Sequence, residues 1–351
     1  MRIVVAMSGG VDSSVAAGLL HEAGHEVIGV SMQLYDASHG FGSCCTIDDL
    51  HDARRVASHL GFPHYIVNFE SQFHQHVQAN FVDEYAAGRT PIPCAHCNSE
   101  VKFKELLARA EGYGAAALAT GHYARITRDG DGRLHLMRGA DRTKDQSYFL
   151  FSLTQDQLAM ASFPVGHLAK DDVRREAARL GLLGVADKPD SQEICFVPDG
   201  DYARFLEREQ PALATTGAIV NTEGQTLGTH GGVHRFTVGQ RKGLGLSAGV
   251  PLYVVAIDAD AQEVTVGPKD ALARDSLTAS QVNWVSGTVP TDWIRGEVQI
   301  RHRHQAAAAR LRALDDGRAK VVFDEPQIAI TPGQAAVFYT GDDVLGGGWI
   351  D

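Results

Sequence analysis

Long apolar runs, a regular cysteine framework and an excess of basic residues are all missing from this sequence. No apolar stretch approaches the roughly 18 residues that a membrane-spanning helix needs. The N-terminus lacks the basic, apolar and small-residue regions of a secretory signal, so we expect a cytoplasmic protein without a membrane partner. Five cysteines are an odd number, which favours reactive or metal-binding thiols over a disulfide scaffold.

The net charge of the whole chain argues against a polyanionic partner, but it does not describe the charge of any one part of the surface. There are 32 lysines and arginines against 43 aspartates and glutamates, a net charge of −11. Nucleic-acid binding requires a local basic patch rather than a basic total. Five arginines and one glutamate lie between Arg295 and Arg312, on alternating strand-like positions, and Arg241 with Lys242 forms a second cluster. Such a run is usually a solvated face, so by itself it is a weak signal.

The order of predicted elements indicates an α/β domain followed by β structure. A chain of 351 residues favours two or three domains. Up to about Pro198, strand-like and helical runs alternate, which predicts a parallel sheet with helices on both faces and ligands at the carboxyl ends of its strands. The predicted runs are Ile3–Ala6, a helix from Ser13, Glu26–Val30, a helix over Ile47–Leu60, His64–Asn68, a helix over Gln72–Ala86, and Ala116–Thr120. Beyond about Ala214, short strands and glycine turns predict two small β domains with a boundary near Asp270.

The stretch SGGVDSS joins the first strand to the first helix. Gly9 and Gly10 allow consecutive amides to converge, and the helix N-terminus adds positive potential, so a phosphate is the expected ligand. Ser8, Ser13 and Ser14 supply hydroxyls, while Asp12 would either cap the helix or hold magnesium. Neither a Walker loop nor GxGxxG is present. An ordinary capped turn is the alternative interpretation.

Three thiols form a second candidate site. Cys94 and Cys97 are spaced CxxC ahead of a helix expected to begin near Ser99, and Lys102 and Lys104 follow. This setting predicts a lowered thiol pKa and a populated thiolate. Cys195 lies between apolar residues, as at a strand end or rim, and alone would be read as a buried structural cysteine.

SGGVDSS resembles the signature of the ATP pyrophosphatases of the PP-loop class, which break ATP between its α and β phosphates. Along essentially the whole chain, the sequence resembles the tRNA-specific 2-thiouridylases, which replace the C2 oxygen of the wobble uridine by sulfur. The supporting motifs are AMSGGVDSSVAA, the GRTP-to-KFK block, ATGHYAR, RTKDQSYFL, DSQEICF, FTVGQRKGLG and PGQAAVFY. The resemblance implies a PP-loop (adenine nucleotide α-hydrolase-like) catalytic domain at residues 1–200, a central small β domain at 201–272 and a tRNA-binding β-barrel at 273–351.

The resemblance also implies roles for individual residues. Cys97 would be the nucleophile, and Cys195 would carry the transferred sulfur as a persulfide, with a Cys97–Cys195 disulfide left behind. ATP, with Mg²⁺, would be bound by Ala6, Met7, Ser8, Gly9, Gly10, Val11, Asp12, Ser13, Met32 and Gly121. The tRNA would be contacted by His122, Lys144, Asp145, Gln146, Arg301, His302 and Gln334, with Ile92, Pro93 and Cys94 beside the target base. The sulfur would come from a donor such as a cysteine desulfurase or a sulfur-relay protein.

One departure from the family keeps a second mechanism open. Members without a CxxC carry aspartate at the position of Cys94, so its role is not transferable from them. Cys94, Cys97 and Cys195 would suffice to hold three irons of a [4Fe–4S] cluster, as in other tRNA thiolases of the PP-loop class. Zinc is disfavoured because three thiols make an incomplete structural site.

Two other classes of function remain as alternatives. The first is an amidating PP-loop synthase; it would need no cysteines, so the CxxC pair and Cys195 count against it. The second is a zinc-containing RNA-binding module without enzymatic activity; the PP-loop and the absence of a second CxxC count against it. Among the remaining patterns, the Asp129–Gly132 stretch predicts a hairpin turn rather than a calcium loop. We assign Cys44 and Cys45 no catalytic role.

Overall fold

The N-terminal part of the chain is built on a parallel sheet. The computed structural model describes residues 1–35, 47–186, 188, 194–197, 199–247 and 249–351. Five strands lie in the order β3-β2-β1-β4-β7, and every neighbouring pair is parallel. These strands are β1 (Arg2–Ala6), β2 (Glu26–Gln33), β3 (His64–Asn68), β4 (Ala117–Ala119) and β7 (Ala161–Ser162). The predicted parallel sheet is therefore confirmed.

Alternate side chains of β1 explain why its sequence is apolar throughout. Val4 belongs to one buried cluster, whereas Ile3 and Val5 belong to another on the opposite face. Successive side chains of a strand point to opposite faces, so a strand covered on both sides needs apolar residues at every position.

Helices connect and cover these strands. Their bounds are Val11–Glu22 (α1), Ile47–Leu60, Glu70–Phe73 continuing through His74–Gln78 to Ala79–Ala86, Pro93–His96 continuing through Cys97–Leu106 to Leu107–Gly112, Gln155–Met160, Lys170–Arg179, Leu183–Ala186 and Tyr202–Glu209. Short 3₁₀ turns occupy Ser147–Phe149, Pro211–Leu213, Val233–Arg235 and Lys269–Leu272. The helix over Ile47–Leu60 was predicted with these bounds.

The helix that carries the CxxC pair begins earlier than predicted. We expected it near Ser99, but it starts at Pro93, whose fixed φ and missing N–H suit the first turn of a helix. We refer to residues 93–112 as the thiol helix. Cys94 and Cys97 are therefore three residues apart within one helix, rather than in a loop ahead of it.

The remaining chain forms two further sheets. The central one has the order β10-β11-β8-β9, from β8 (Gly217–Asn221), β9 (Thr226–His230), β10 (Tyr253–Asp258) and β11 (Glu263–Gly267). The last runs β12-β15-β14-β13-β16-β17 and closes because β12 also pairs with β17. Its strands are β12 (Ala273–Trp284), β13 (Ile294–Gln299), β14 (Ala307–Ala313), β15 (Ala319–Ile328), β16 (Ala335–Thr340) and β17 (Asp343–Ile350). The predicted C-terminal β-barrel is confirmed.

A hairpin from the N-terminal part joins the barrel sheet. Strands β5 (Ala124–Arg128) and β6 (Leu134–Arg138) are antiparallel, which confirms the predicted turn around residues 129–132. Strand β6 continues the barrel sheet through the pairing of Met137 with Asp343 on β17. The N-terminal part and the barrel therefore share one sheet, which fixes their relative position.

Candidate active site

One cavity of about 1310 Å³ lies where the parallel sheet, the thiol helix and the barrel meet. It brings together most residues that the sequence analysis selected. The predicted residues that line it are Ala6, Met7, Ser8, Gly10, Val11, Asp12, Ser13, Met32, Pro93, Cys94, Cys97, Gly121, His122, Lys144, Asp145, Gln146, Cys195 and His302. Among the predicted residues that the structure describes, Gly9, Ser14, Ile92, Arg301 and Gln334 are not part of its lining.

The signature loop, residues 6–13, is shaped by glycine geometry and serine hydrogen bonds. Gly9 has a φ of +76°, and a Cβ there would lie 2.2 Å from the carbonyl oxygen of Asp49. Ser13 Oγ accepts from the backbone N–H of Ser8 at 3.2 Å. Ser14 Oγ donates to the carbonyl of Gly10 at 2.8 Å. Because the loop leads directly into the N-terminus of α1, it forms an anion-binding turn.

Asp12 does not cap α1, which was one of its two predicted roles. The N-cap position is Gly10, which has no side chain to cap the helix, and Asp12 lies inside the first turn of α1. Instead, Asp12 Oδ1 accepts from Tyr123 Oη at 2.7 Å, and Lys170 Nζ lies 2.8 Å from Oδ1 and 2.9 Å from Oδ2. Sequence reasoning missed Tyr123 and Lys170 because no local pattern links them to a loop more than 100 positions away.

A second missed lysine supports the loop from its other side. Lys188 Nζ donates to the carbonyl of Gly9 at 3.2 Å and to Asp49 Oδ1 at 2.6 Å, and it also pairs with Asp52. Burial alone would lower the pKa of Lys188, but the combined effect of the two carboxylates is greater and raises that pKa above its ordinary value. Lys188 therefore stays protonated and attaches the helix Ile47–Leu60 to the signature loop.

Gly121, predicted to bind ATP, packs against the start of α1. A Cβ at this position would lie 2.6 Å from the backbone nitrogen of Ser13 and 2.7 Å from the carbonyl carbon of Asp12. Any larger residue would push the two segments apart. The glycine is required by this close approach, whatever else contacts it.

The three described thiols differ in exposure. Cys94 is exposed, Cys97 is buried, and Cys195 is intermediate. Cys195 lies in a turn whose Val197 N–H donates to the carbonyl of Ile194 at 2.8 Å, rather than at a strand end as expected. Residues 190–193 of the DSQEICF motif, and Cys44 and Cys45, lie outside the described residues.

The expected low pKa of the Cys97 thiol is wrong for this structure. Burial raises the pKa of Cys97 above its ordinary value, and the charge of Lys102 opposes that shift. Lys102 Nζ is held by Asn98 Oδ1 at 3.0 Å, whereas Lys104 Nζ turns to Glu100 at 2.7 Å. Desolvation therefore outweighs the nearby cation, and the resting thiol is protonated more than sequence alone predicted.

Replacing Lys102 by methionine is expected to raise the pKa of Cys97 further. Alkylation by iodoacetamide requires the thiolate, so its rate at Cys97 should fall at fixed pH and its pH profile should move to higher pH. Peptide mass spectrometry over a pH series measures this rate. Lys104→Met is the matched control and should leave the profile in place; equal shifts in both variants, or none in either, would contradict the role of Lys102.

His122 is a neutral member of the cavity wall. Its exposed fraction is 9%, and burial, with the charge of Lys102 adding, lowers its pKa well below the ordinary value. Its Nδ1 lies 2.7 Å from Thr120 Oγ1, which also accepts from the His122 backbone N–H at 3.4 Å. A neutral imidazole offers hydrogen bonds but no positive charge for a phosphate.

The predicted tRNA-contacting stretch Lys144–Gln146 divides into two kinds of residue. Asp145 accepts hydrogen bonds from Arg138, the Gly139 backbone and Ser147, each at 3.0 Å. Gln146 Oε1 accepts from the Tyr123 backbone N–H at 3.0 Å. These two side chains hold the loop in shape, and Lys144 is the cation that the stretch contributes to the cavity.

Arg138 and Gln299 connect this stretch to the other predicted tRNA segment. Gln299 accepts from Arg138 at 3.2 Å and donates to the carbonyls of His302 at 2.7 Å and Arg301 at 3.2 Å. The turn at residues 301–304 is therefore fixed relative to residues 144–146. Neither Arg138 nor Gln299 had a sequence signal, because their contact joins positions on two different domains.

The basic run from Arg295 to Arg312 follows its expected alternating strand pattern only in part, because Arg310 and Arg312 are exposed alternate residues of β14. Arg301 and Arg303 lie in the turn between β13 and β14 and are exposed. Arg295 is on β13 and is paired with both carboxylate oxygens of Asp324 at 2.8 and 2.7 Å. Of the five arginines in this run, Arg303 lines the cavity.

Gln334 lies away from the cavity but supports the thiol helix. Its Nε2 donates to the carbonyl of Thr90 at 2.8 Å, and the Thr90 N–H donates to the carbonyl of Pro332 at 2.8 Å. The barrel also contacts the helix itself, where the rings of His96 and Trp349 stack at 4.2 Å with 4° between their planes. The thiol helix is thus anchored to the C-terminal barrel.

The charge of the cavity opposes the charge of the whole protein. Seven lysine and arginine side chains line it, against four carboxylates. These cations are Lys102, Arg138, Arg142, Lys144, Lys170, Lys188 and Arg303. The local excess of positive charge removes the objection that a net charge of −11 raised against a polyanionic ligand.

Neither a metal-ligand cluster nor a membrane-spanning helix is found in the described part of the chain. Within the described ranges, no three His, Cys, Asp or Glu side chains are grouped closely enough to hold a metal ion. Cys94, Cys97 and Cys195 line one cavity but do not form such a group. None of the described helices combines the length and apolarity needed to cross a membrane.

The parallel sheet, the serine-glycine loop at its carboxyl edge and the helix N-terminus behind it define a nucleotide-binding enzyme of the PP-loop class. Models of three domain families match consecutive parts of the chain. Residues 1–199 match the tRNA methyl transferase HUP domain, residues 203–268 the tRNA methyl transferase PRC-barrel domain, and residues 274–350 the aminomethyltransferase beta-barrel domain.

Similar proteins extend over the full chain. A tRNA-specific 2-thiouridylase MnmA from Geotalea uraniireducens is 56% identical, covering 100% of this chain and 95% of the relative. A protein of the same name from Geobacter metallireducens is 56% identical, covering 100% and 96%. Another, from Solibacter usitatus, is 55% identical over 99% of each chain. This chain belongs to the family of tRNA-specific 2-thiouridylases.

Proposed function

We propose that the protein is a tRNA-uridine 2-sulfurtransferase. ATP adenylates the C2 oxygen of the wobble uridine in tRNA, and sulfur then replaces that oxygen to give 2-thiouridine, AMP and pyrophosphate. The observation that carries this proposal is one cavity lined by the signature loop, by Cys97 and Cys195 and by the cations Lys144 and Arg303. We also propose that it acts in the cytoplasm, where tRNA and ATP are present.

The first step needs an activated oxygen, because a uracil C2 carbonyl is a poor electrophile with a poor leaving group. Adenylation makes AMP the leaving group. The signature loop and the N-terminus of α1 are suited to the phosphates, and Lys170 and Lys188 add positive charge beside them. The carboxylate of Asp12 offers the oxygen ligands that Mg²⁺ prefers. The target base must leave its stack to enter the cavity.

The second step needs a strong sulfur nucleophile. A donor protein loads Cys195 with a persulfide, and the Cys97 thiolate attacks the inner sulfur of that persulfide. A Cys97–Cys195 disulfide forms, hydrosulfide leaves, and it adds to C2 as AMP departs. The two cysteines are oxidised by two electrons while the transferred sulfur is reduced by two. An external dithiol must then reduce the disulfide before the next turnover.

Binding of tRNA is assigned to the turn at residues 301–304 and to Lys144. Replacing Arg301 and Arg303 together by alanine is expected to weaken tRNA binding and to flatten its salt dependence, by about one unit of slope for each lost phosphate contact. Filter binding over a salt series measures both quantities. Arg295→Ala is the matched control, since Arg295 is already paired with Asp324; an unchanged slope in the double variant would move the tRNA surface elsewhere.

A [4Fe–4S] cluster on Cys94, Cys97 and Cys195 is the alternative route for the same reaction. Its support is the CxxC pair with one distant cysteine, all three on the cavity wall; against it, the described residues contain no group of three metal-ligating side chains. Anaerobic purification with iron and sulfide analysis distinguishes the two routes. Iron-free protein with full thiolation activity would exclude the cluster, and activity that appears only after iron–sulfur reconstitution would exclude the persulfide route.

One experiment tests the proposed reaction class: it measures the modified wobble uridine and the nucleotide products of the same reaction. The purified protein is incubated with tRNA, ATP and a persulfide source, and the nucleosides are analysed by mass spectrometry. We expect 2-thiouridine and AMP, both dependent on tRNA. Amidation of a small substrate without tRNA would favour an amidating synthase. Formation of methylated tRNA with S-adenosylmethionine would favour a tRNA methyltransferase, the activity after which two of the matched domain families are named.

A further inference from the structure

The carboxylate of Asp12 is oriented by two residues outside the signature loop. Tyr123 Oη donates to its Oδ1 at 2.7 Å, and Lys170 Nζ contacts both of its oxygens at 2.8 and 2.9 Å. Tyr123 is 2% exposed, and the side chain of Lys170 is 10% exposed. Because both are packed in place, the direction of the Asp12 carboxylate follows the position of these two residues.

Both residues are attached in turn to one loop, residues 139–146. The backbone N–H of Lys170 donates to Asp141 Oδ2 at 3.0 Å. Tyr123 exchanges two hydrogen bonds with Gln146: its N–H donates to Gln146 Oε1 at 3.0 Å, and its carbonyl accepts from the Gln146 N–H at 2.9 Å. A shift of this loop therefore acts on both contacts to Asp12.

The backbone segments that link the loop 139–146 to Asp12 are closely packed. A Cβ at Gly139 would lie 2.7 Å from the carbonyl oxygen of Tyr123. On the other side, Gly121 approaches the start of α1 so closely that a Cβ would lie 2.6 Å from Ser13 N. Tightly packed segments move together rather than deforming independently. The same loop carries Arg142 and Lys144, which line the cavity at the proposed tRNA surface.

We propose that Tyr123 and Lys170 are positioning residues for Asp12, through which the loop 139–146 couples tRNA binding to ATP binding. tRNA that engages the loop stabilises the arrangement in which both residues hold Asp12 toward the nucleotide. Coupling of this kind is reciprocal, so tRNA must tighten ATP binding by the same factor as ATP tightens tRNA binding. The inference rests on the proposed function, since it takes ATP and tRNA as the two ligands.

The test measures affinity rather than turnover. Binding of a non-hydrolysable ATP analogue with Mg²⁺ is titrated with and without tRNA, and tRNA binding is titrated with and without the analogue. For the unaltered protein we expect each ligand to tighten the other by roughly five-fold or more. In Tyr123→Phe, which deletes one hydroxyl, and in Lys170→Met, we expect the ratio to fall toward one while tRNA affinity without nucleotide is kept.

Control variants separate coupling from general damage. Tyr65→Phe removes an exposed hydroxyl on β3, and Lys104→Met removes a paired surface lysine; both should keep the ratio of the unaltered protein. Lys170→Arg, which retains the charge, should keep more of the ratio than Lys170→Met. If Lys170→Met fails to fold, Tyr123→Phe still decides the question.

Two outcomes would overturn the inference: a ratio of one in the unaltered protein, or an undiminished ratio in Tyr123→Phe and Lys170→Met. Either result leaves the proposed function intact if the unaltered protein still makes 2-thiouridine and AMP. Failure of the proposed function is distinct, because it is the absence of those products in the unaltered protein.

Discussion

Replacing either Cys97 or Cys195 by serine is expected to lower the rate of 2-thiouridine formation by a factor of at least about 10³, while adenylation of tRNA continues. A serine hydroxyl neither carries a persulfide nor forms the disulfide that releases its sulfur. The two cysteines act as a unit, so the double variant should be no worse than either single one. Nucleoside mass spectrometry measures the sulfur step, and pyrophosphate release in a single turnover measures adenylation.

Cys94→Ser is the matched control for this pair. Cys94 lies on the same helix, three residues before Cys97, and also lines the cavity. Under the persulfide route this variant should retain most of the thiolation activity. Equal loss in all three cysteine variants, together with loss of bound iron, would contradict the persulfide route; full activity in Cys97→Ser would remove Cys97 from the chemistry altogether.

Replacing Asp12 or Ser13 by alanine is expected to lower tRNA-dependent AMP formation by at least about 10²-fold. Ser13 Oγ holds the loop through Ser8 and Gly10, and Asp12 is the carboxylate held by Tyr123 and Lys170. Chromatographic separation of labelled ATP and AMP measures the rate. Affinity for tRNA without nucleotide should change little, because the proposed phosphate contacts lie on the turn at residues 301–304.

The control for Asp12→Ala is Asp260→Ala, an exposed aspartate in the central domain. It changes the net charge by the same amount and should leave AMP formation unaltered. Normal AMP release by both Asp12→Ala and Ser13→Ala would show that the signature loop does not bind ATP, and the proposed function would then lose its first step.

Much of the fold was predictable because its signals are local. The helix over Ile47–Leu60 and the strand over His64–Asn68 have the predicted bounds, since apolar periodicity and flanking turns are properties of neighbouring residues. The start of the thiol helix was missed because the lysines and serine after Cys97 were read as its beginning, although Pro93 is compatible with a first helical turn. The addition of β5 and β6 to the barrel sheet had no local signal.

The sequence by itself determined the class of chemistry. SGGVDSS requires a tight turn into a helix, because only glycine tolerates the φ of +76° and the 2.2 Å approach found at Gly9. The proposed sulfur transfer rests on the thiols at positions 94, 97 and 195. These are properties of residue type and short spacing, which folding does not alter.

Tertiary structure alone decided the electrostatics and the support of the site. The pKa of Cys97 is raised because burial removes water from the thiol, and no sequence pattern measures burial. Lys170 reaches Asp12 only because the start of its helix packs beside the signature loop. Gln299 joins the two predicted tRNA segments across a domain boundary. Desolvation and contacts between distant positions exist only in the folded chain, which is why the residues that hold this site could not be read from its motifs.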